Sequence, residues 1–437
     1  MNLFERSLQT WWAESWLMFS RMLTFHILER RLFEYSGHVP YEPQPGNLLY
    51  VAASVLPYHT SGYTTRTHEL VCALNKAGAR VHVLTRPGYP WDRKDRLCDP
   101  VSEETTVGDM CYRHAQAPAN NRPVLQYALQ AARVVAESAV RHRVAVIHAA
   151  SNHVNALPAL LAARQLGIPF QYEMRGLWEL TRISRQPGYE DSQAYKQGLQ
   201  LEGLVARHAD RLFVISGQLG RYVEMNWGVD PNRMTLLPNC VDPERFMIAD
   251  PQQIELNTIG YAGSLMGYEG LDTLIDAVDI LVRSGSSVRV VIIGDGEARP
   301  QLEARVQRLG LSERICFSGK MFPDAAREKL ARCALVCIPR KPFKVCEIVP
   351  PIKLVEALAM GKPVIVPDLP VFRDELGNDP AGWFFRSGDA ADLSRAIEGA
   401  LENEEKLKKT GARARDYVLA ERCWHSFVDK VAKPYDA

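Results

Sequence analysis

The sequence predicts an α/β fold made of two doubly wound parallel-sheet domains in tandem. Three observations support this. At 437 residues the chain is longer than one hydrophobic core usually serves. Short apolar runs of the kind that form buried parallel strands alternate with helical stretches from residue 48 onward. The alternation pauses at Pro238-Asn239-Cys240-Val241-Asp242 and then starts again.

The elements are predicted in order as follows. Residues 3–35 place Phe4, Leu8, Trp11, Trp12, Trp16, Phe19, Leu23 and Ile27 at spacings of mostly three and four, which predicts one or two amphipathic helices. Their apolar face is expected to lie on the chain's own body, on a protein partner or on a membrane surface. Arg6, Arg21, Arg30 and Arg31 are balanced by Glu5, Glu14, Glu29 and Glu34, so the polybasic pattern of an anionic-lipid binder is missing. A proline-rich linker follows over 37–46. In the first domain, strands are predicted at 48–55, 80–85, 144–148, 169–173 and 211–216, with helices at 67–76, 154–166 and 192–208. In the second, strands are predicted at 258–262 and 288–294 and near Ile315, Leu335, Pro363 and Trp383, with helices at 271–284 and 299–309. The resulting division is 1–47 (helical segment and linker), 48–241, 242–415, and a C-terminal helix over 416–437 that packs back on the first domain. A ligand is expected in a cleft at the carboxyl ends of the strands.

Composition narrows the function. Lys+Arg number 52 against Asp+Glu 51, so no overall field favours nucleic acid. Nine cysteines without a CxxC pair argue against a disulfide framework or a structural zinc site. No uninterrupted apolar run reaches membrane-spanning length, and the first residues do not form a signal peptide. A cytoplasmic protein starting near Met1 is expected, with a peripheral place at the inner face of the membrane left open by residues 3–35.

The most informative stretch is a helix opened by Pro350-Pro351 and closed by Gly361. Lys353 and Glu356 share one face of it, close to an N-terminus whose free N–H groups favour anions. Such a pair suits a diphosphate at Lys353 and ribose hydroxyls at Glu356. It equally suits a solvated surface pair.

The string Lys353-Leu-Val-Glu356-Ala-Leu-Ala-Met-Gly361-Lys-Pro363-Val-Ile-Val-Pro-Asp368 resembles the donor-site signature of retaining glycosyltransferases of family 4. Gly62, Pro238-Asn239-Cys240-Val241-Asp242, Gly260-Tyr-Ala-Gly263-Ser-Leu and Gly294-Asp295-Gly296 match further points, in order, over most of residues 48–430. The resemblance implies the GT-B fold: two Rossmann-like domains facing across a cleft. It also implies a nucleotide-diphosphate sugar as donor, UDP or GDP, with no cofactor and no metal. The acceptor it implies is a glycan or lipid-linked molecule of bacterial surface polysaccharide synthesis.

Three departures from the usual pattern stand out. The family commonly has two glutamates separated by seven residues; eight positions before Glu356 stands Ile348, with Glu347 beside it. Ser264 and Glu269 lie in the loop where an arginine and a lysine are common. Lys353, Arg340 and Lys341 are expected to replace those cations, in a branch with a Pro-x-Lys donor loop. The resemblance therefore implies Lys353, His148, His153 and Glu347 as catalytic residues. It assigns donor binding to Glu356, Gly62, Ser264, Arg340, Lys341, Gly319, Lys320, Ile352 and Leu354. Retaining chemistry in this family is thought to use front-face attack, with a leaving phosphate oxygen taking the acceptor proton. The protein's task is then to hold charge on the departing diphosphate.

On the first domain, His148 is expected to end its strand and His153 to begin the next helix, one of them near the transferred sugar. Glu173-Met174-Arg175-Gly176-Leu177-Trp178 follows the next strand, and Glu173, Arg175 and Trp178 form the expected acceptor side. Two rival readings remain: a same-fold epimerase or phosphorylase, and a catalytically silent subunit binding through residues 1–35.

Overall fold

A computed structural model of the chain describes residues 19–32, 41–93, 95, 100–248, 250–377 and 380–432. It divides into two compact units. The first comprises residues 1–214, 220–237 and 428–437; the second comprises 215–219 and 238–427.

The first unit is built on β1 (Asn47–Ala52), β2 (Arg80–Thr85), β3 (Glu104–Val107), β4 (Met110–Arg113), β5 (Val146–Ala150), β6 (Phe170–Met174), β7 (Arg211–Val214) and β8 (Met234–Leu236). They form one sheet in the order β3-β4-β2-β1-β5-β6-β7-β8. Every pairing is parallel except that of β3 with β4. β1 sits in the middle with all six residues buried, as a strand covered on both faces must. The β3–β4 hairpin was not foreseen, although its turn, Gly108-Asp109, is a recognised hairpin signal and Gly108 takes a φ of 56°.

The second unit carries β9 (Glu255–Ala262), β10 (Arg289–Ile293), β11 (Ile315–Gly319), β12 (Cys333–Cys337), β13 (Val364–Pro367) and β14 (Gly382–Phe385). They form an all-parallel sheet in the order β11-β10-β9-β12-β13-β14. Helix Leu271–Arg283 lays Leu274, Ile275, Val278 and Leu281 into the core beside Ile259, Tyr261, Ile292 and Leu335. The two-domain α/β expectation holds.

Several boundaries differ from the sequence reading. The strand predicted to end at His148 is β5, which continues to Ala150, so His148 lies inside it. Residues 215–219 belong to the second unit, where Ser216 Oγ donates to the Ile348 carbonyl at 2.5 Å. The C-terminal segment is not one helix. Helix Glu404–Glu421 stays in the second unit and packs on Ile352–Ala359. Only Val428–Ala432 packs on helix Gly62–Lys76 of the first unit, burying Val428 and Val431. Of the amphipathic segment at 3–35, residues 19–32 are helical, with Leu28 and Leu32 buried and Phe19, Met22 and Leu23 exposed. Phe4, Leu8, Trp11, Trp12 and Trp16 lie outside the described residues. Among the described residues, no helix is long and apolar enough to cross a membrane.

Candidate functional site

In the second unit the parallel strands point their carboxyl ends to one edge, and helix Ile352–Ala359 brings Lys353 to it. Pro351 offers this helix no side-chain cap, so its first turn depends on other partners. The Asn239 amide, from the motif that opens the unit, donates to the Pro350 carbonyl at 3.0 Å and steadies the approach to the helix.

Lys353 Nζ donates to Tyr261 Oη at 2.7 Å and to Glu269 Oε2 at 2.9 Å. It also lies 4.3 Å from the centroid of the Tyr261 ring. Glu269 in turn accepts from Arg340 on both oxygens, Nη2 to Oε1 at 3.1 Å and Nε to Oε2 at 3.3 Å. Burial alone would raise the Glu269 pKa, but Arg340 and Lys353 outweigh it and hold the carboxyl at about 2. Arg340 and Lys353 thus share one carboxylate. An ammonium has three donors, and two of them have partners here.

Two of the expected replacement cations already have protein partners in this geometry. Arg340 is buried, and its guanidinium is occupied by Glu269 and by the Val349 carbonyl at 3.0 Å. Lys341 sits against Asp272 Oδ2 at 2.6 Å. Glu269, read from the sequence as a lost cation, is the counter-ion that organises the group. Its separation from Lys353 by 84 positions left no local signal of the contact. Tyr261 was missed for the same reason: it stands inside a quoted motif, but its role shows only when β9 and the helix meet.

The other donor-side residues divide. Glu356 is half-buried one turn on from Lys353 and, among the described residues, makes no hydrogen bond through its carboxylate. Burial raises its pKa, opposed by Arg327, Lys353 and Arg245. Ser264 is exposed, and its carbonyl accepts from Tyr261 Oη at 3.0 Å. Gly319 ends β11 with a φ of 68°, and Lys320 beyond it is exposed. Ile352 is half-buried in the first turn. Leu354 is core, and its N–H is taken by the Pro351 carbonyl at 3.0 Å, so its expected donor contact is corrected. Glu347 pairs with Lys344 at 3.0 Å across one turn of a partly exposed helix and shares no partner with Lys353. That is a surface ion pair outside the Lys353 cluster.

In the first unit the expected acceptor side is mostly core. Glu173, 1% exposed, accepts from Arg175 Nε at 2.8 Å and Nη2 at 2.9 Å, and from Arg66 Nη2 at 2.8 Å. Tyr50 Oη donates to it at 2.8 Å. Burial would raise the Glu173 pKa, but Arg175 and Arg66 hold it well below the usual carboxylate range. His148 is fully buried, stacked on Tyr50, with Nδ1 2.9 Å from Gln171 Oε1 and Nε2 3.2 Å from Glu173 Oε2. Both ring nitrogens are occupied, so His148, Glu173 and Arg175 are corrected from site residues to a buried polar network.

His153 differs. It begins helix His153–Leu166, its Nδ1 lies 3.1 Å from Glu202 Oε2, and Glu202 is itself buried and bonded to Tyr172 Oη. Burial would lower the His153 pKa, but the Glu202 hydrogen bond and charge raise it. The ring also lines a small pocket with Arg122, Tyr127 and Leu157. Glu202 went unnoticed in the sequence because a helical glutamate is ordinarily a surface residue. Gly62 is exposed in the first turn of helix Gly62–Lys76, capped by Ser61, and Trp178 is exposed at the start of helix Trp178–Ile183.

Residues 61–240 match the family described as glycosyl transferase 4-like domain, and residues 248–417 match glycosyl transferases group 1. Both units are glycosyltransferase domains. Among curated relatives, a phosphatidyl-myo-inositol mannosyltransferase of Mycobacterium leprae is 30% identical over 185 residues, covering 38% of this chain and 47% of that protein. The chain spans about half the length of the first curated relatives it matches. Among solved structures, sucrose-phosphate synthase from Thermosynechococcus elongatus aligns with a TM-score of 0.72 at 17% identity, over 89% of this chain and 98% of that one. Anabaena HepE in complex with UDP and glucose aligns with a TM-score of 0.66 at 18% identity, over the same shares. These two glycosyltransferase domains thus have the GT-B fold.

Proposed function

We propose that this chain is a retaining glycosyltransferase that moves a sugar from a nucleotide diphosphate to a hydroxyl of a glycan or lipid-linked acceptor, in the making of bacterial surface polysaccharide. The observation that carries the reading is Lys353. It is a charged ammonium at the start of a helix, with two donors fixed by Tyr261 and Glu269 and a third left for a phosphate oxygen. Glu356, one turn on, offers a carboxylate with no protein donor among the described residues and is assigned to the ribose hydroxyls. The UDP and glucose held by Anabaena HepE, and the mannosyl transfer in the name of the mycobacterial relative, support the substrate class.

In this reading the bond from the anomeric carbon to the diphosphate breaks while the acceptor oxygen bonds on the same face. The acceptor proton passes to the leaving phosphate oxygen. Lys353 and the helix N-terminus stabilise the charge that builds on the diphosphate. Since the protein supplies that charge, turnover is proposed to need no added divalent metal.

The test begins with thermal shift against UDP and GDP, where a bound nucleotide stabilises the folded state. Release of nucleotide from candidate donors follows, then proton NMR of the product's anomeric centre. Lys353→Ala should lower turnover by about 100-fold, as losing a transition-state charge partner does. Near-normal turnover in that variant, or an inverted product, would sink the reading.

A further inference from the structure

Glu269 is out of place in a site built to receive a diphosphate. An anion beside the main cation should weaken attraction for another anion. Yet the fold fixes it there with some care. The preceding backbone is tied down where the Lys341 N–H donates to the Tyr268 carbonyl at 3.0 Å. The next residue, Gly270, has a φ of 73° and lies so close to the Pro339 carbonyl that a Cβ would come within 1.8 Å of that oxygen. The glycine lets the loop lie against the chain just beyond β12, beside Arg340. Arg340 grips both oxygens, which leaves the Glu269 side chain little freedom to turn.

We propose that Glu269 is a positioning residue for the transfer reaction: its carboxylate keeps the buried Lys353 ammonium charged and aimed, with one N–H held ready for a donor phosphate oxygen. This rests on the functional reading above. The physical need is plain. Lys353 is only 13% exposed through its side chain, and burial drives its pKa down while Glu269 drives it up. The neighbouring Arg340 charge pushes it down as well, and Glu356 pushes weakly up. The remaining titratable neighbours are Tyr261, whose phenol is raised well above its ordinary value by burial and by Glu269, and Cys346, pushed up to about 11. Both titrate above Lys353. The uracil or guanine N–H of the nucleotide also ionises on the alkaline side, but equally for every variant, so a displacement of the basic limb between variants reports Lys353.

The experiment is calorimetric binding of UDP or GDP, whichever stabilises the parent, from pH 6 to 9.5 in the parent, Glu269→Gln, Glu269→Asp and Lys353→Met. At pH 6, Glu269→Gln should bind within about threefold of the parent, because Lys353 is protonated in both. At pH 9 it should bind at least about tenfold more weakly, its basic limb having moved to lower pH by the linkage of charge to binding. Glu269→Asp keeps the charge and should keep the parent's limb, whatever it loses uniformly. The double variant Glu269→Gln/Arg340→Gln removes the stranded guanidinium and, compared with Arg340→Gln alone, serves if the single change unfolds the domain. An unmoved basic limb in Glu269→Gln against the parent, or in the double variant against Arg340→Gln, overturns the proposal, as does a limb displaced equally in Glu269→Asp. If Lys353→Met binds nucleotide as the parent does, the functional reading itself falls. If only Lys353→Met loses binding, the donor site stands and the role given to Glu269 does not.

Discussion

Arg175 holds Glu173 through both carboxylate oxygens, Nε to Oε1 at 2.8 Å and Nη2 to Oε2 at 2.9 Å, in a part of the first unit closed to solvent. Arg66 joins from helix Gly62–Lys76 and also donates to the Leu237 carbonyl, so the carboxylate ties β6 to that helix and to the end of the unit's last strand. Removing one partner of such a group leaves a buried charge without compensation. Glu173→Ala should therefore destabilise the first unit by about 3–5 kcal/mol, the usual range for breaking a buried pair. Urea denaturation would read this, and a loss below about 1 kcal/mol would contradict that structural role.

His153 makes a pH-dependent contribution with a definite sign. Its pKa is raised in the folded state because Glu202 outweighs burial, and Glu179 adds to the effect. A raised folded pKa gives stability that is fully present below the unfolded value and is lost as pH rises through the folded value. His153→Gln should thus be more destabilising at pH 5.5 than at pH 9, measured by denaturant midpoints at both. Equal losses at the two pH values would mean that folding leaves the imidazole pKa unchanged, and a smaller loss at pH 5.5 that the folded protein holds it neutral.

The sequence made the scaffold legible and the charge pairing only in part. Apolar runs such as Leu48 to Val51 and the capped helix around Lys353 follow from local rules, because a buried parallel strand and a helix terminus each leave a mark within a few residues. Glu269 and Arg340 leave no such mark: 71 positions separate them, and they meet only because β9 and β12 are neighbours in the sheet. The same holds for His148, which looked like a strand-end histidine until β5 proved two residues longer and its ring was found stacked on Tyr50. Polar residues on buried strands mislead a reading based on exposure, since their partners come from other strands. The short polar strands β3 and β4 were overlooked for the opposite reason, having too little apolar alternation to stand out.

Gly263 offers a test of Lys353 that leaves Lys353 itself unchanged. The glycine has a φ of 152°, and an added Cβ would lie 2.6 Å from Lys353 Nζ. Gly263→Ala must push the end of that flexible side chain away from Tyr261 and Glu269, at a backbone angle unfavourable for alanine. Nucleotide affinity should fall by about tenfold, or near 1.4 kcal/mol, while the thermal transition stays cooperative. Unchanged affinity in a folded Gly263→Ala variant would show that the position of Lys353 is not critical for binding.

Glu356 can be separated from Lys353 by its ligand chemistry. An ionised carboxylate only accepts hydrogen bonds, and that of Glu356 has no protein donor among the described residues, so ribose hydroxyls would be its natural partners. Hydrogen bonds to a charged group contribute about 1.5–3 kcal/mol, or roughly 10- to 100-fold in affinity. The parent protein should therefore prefer UDP or GDP over the matching 2′-deoxynucleotide, and Glu356→Ala should erase most of that preference. Because burial raises the Glu356 pKa, the preference should also fade on acidification at a higher pH than an exposed carboxylate would show. A preference that survives Glu356→Ala intact would assign the ribose to other groups. A preference absent from the parent as well would mean that Glu356 meets some other part of the donor. Measured as a cycle of two proteins and two nucleotides, the coupling isolates this one contact from any general loosening of the helix.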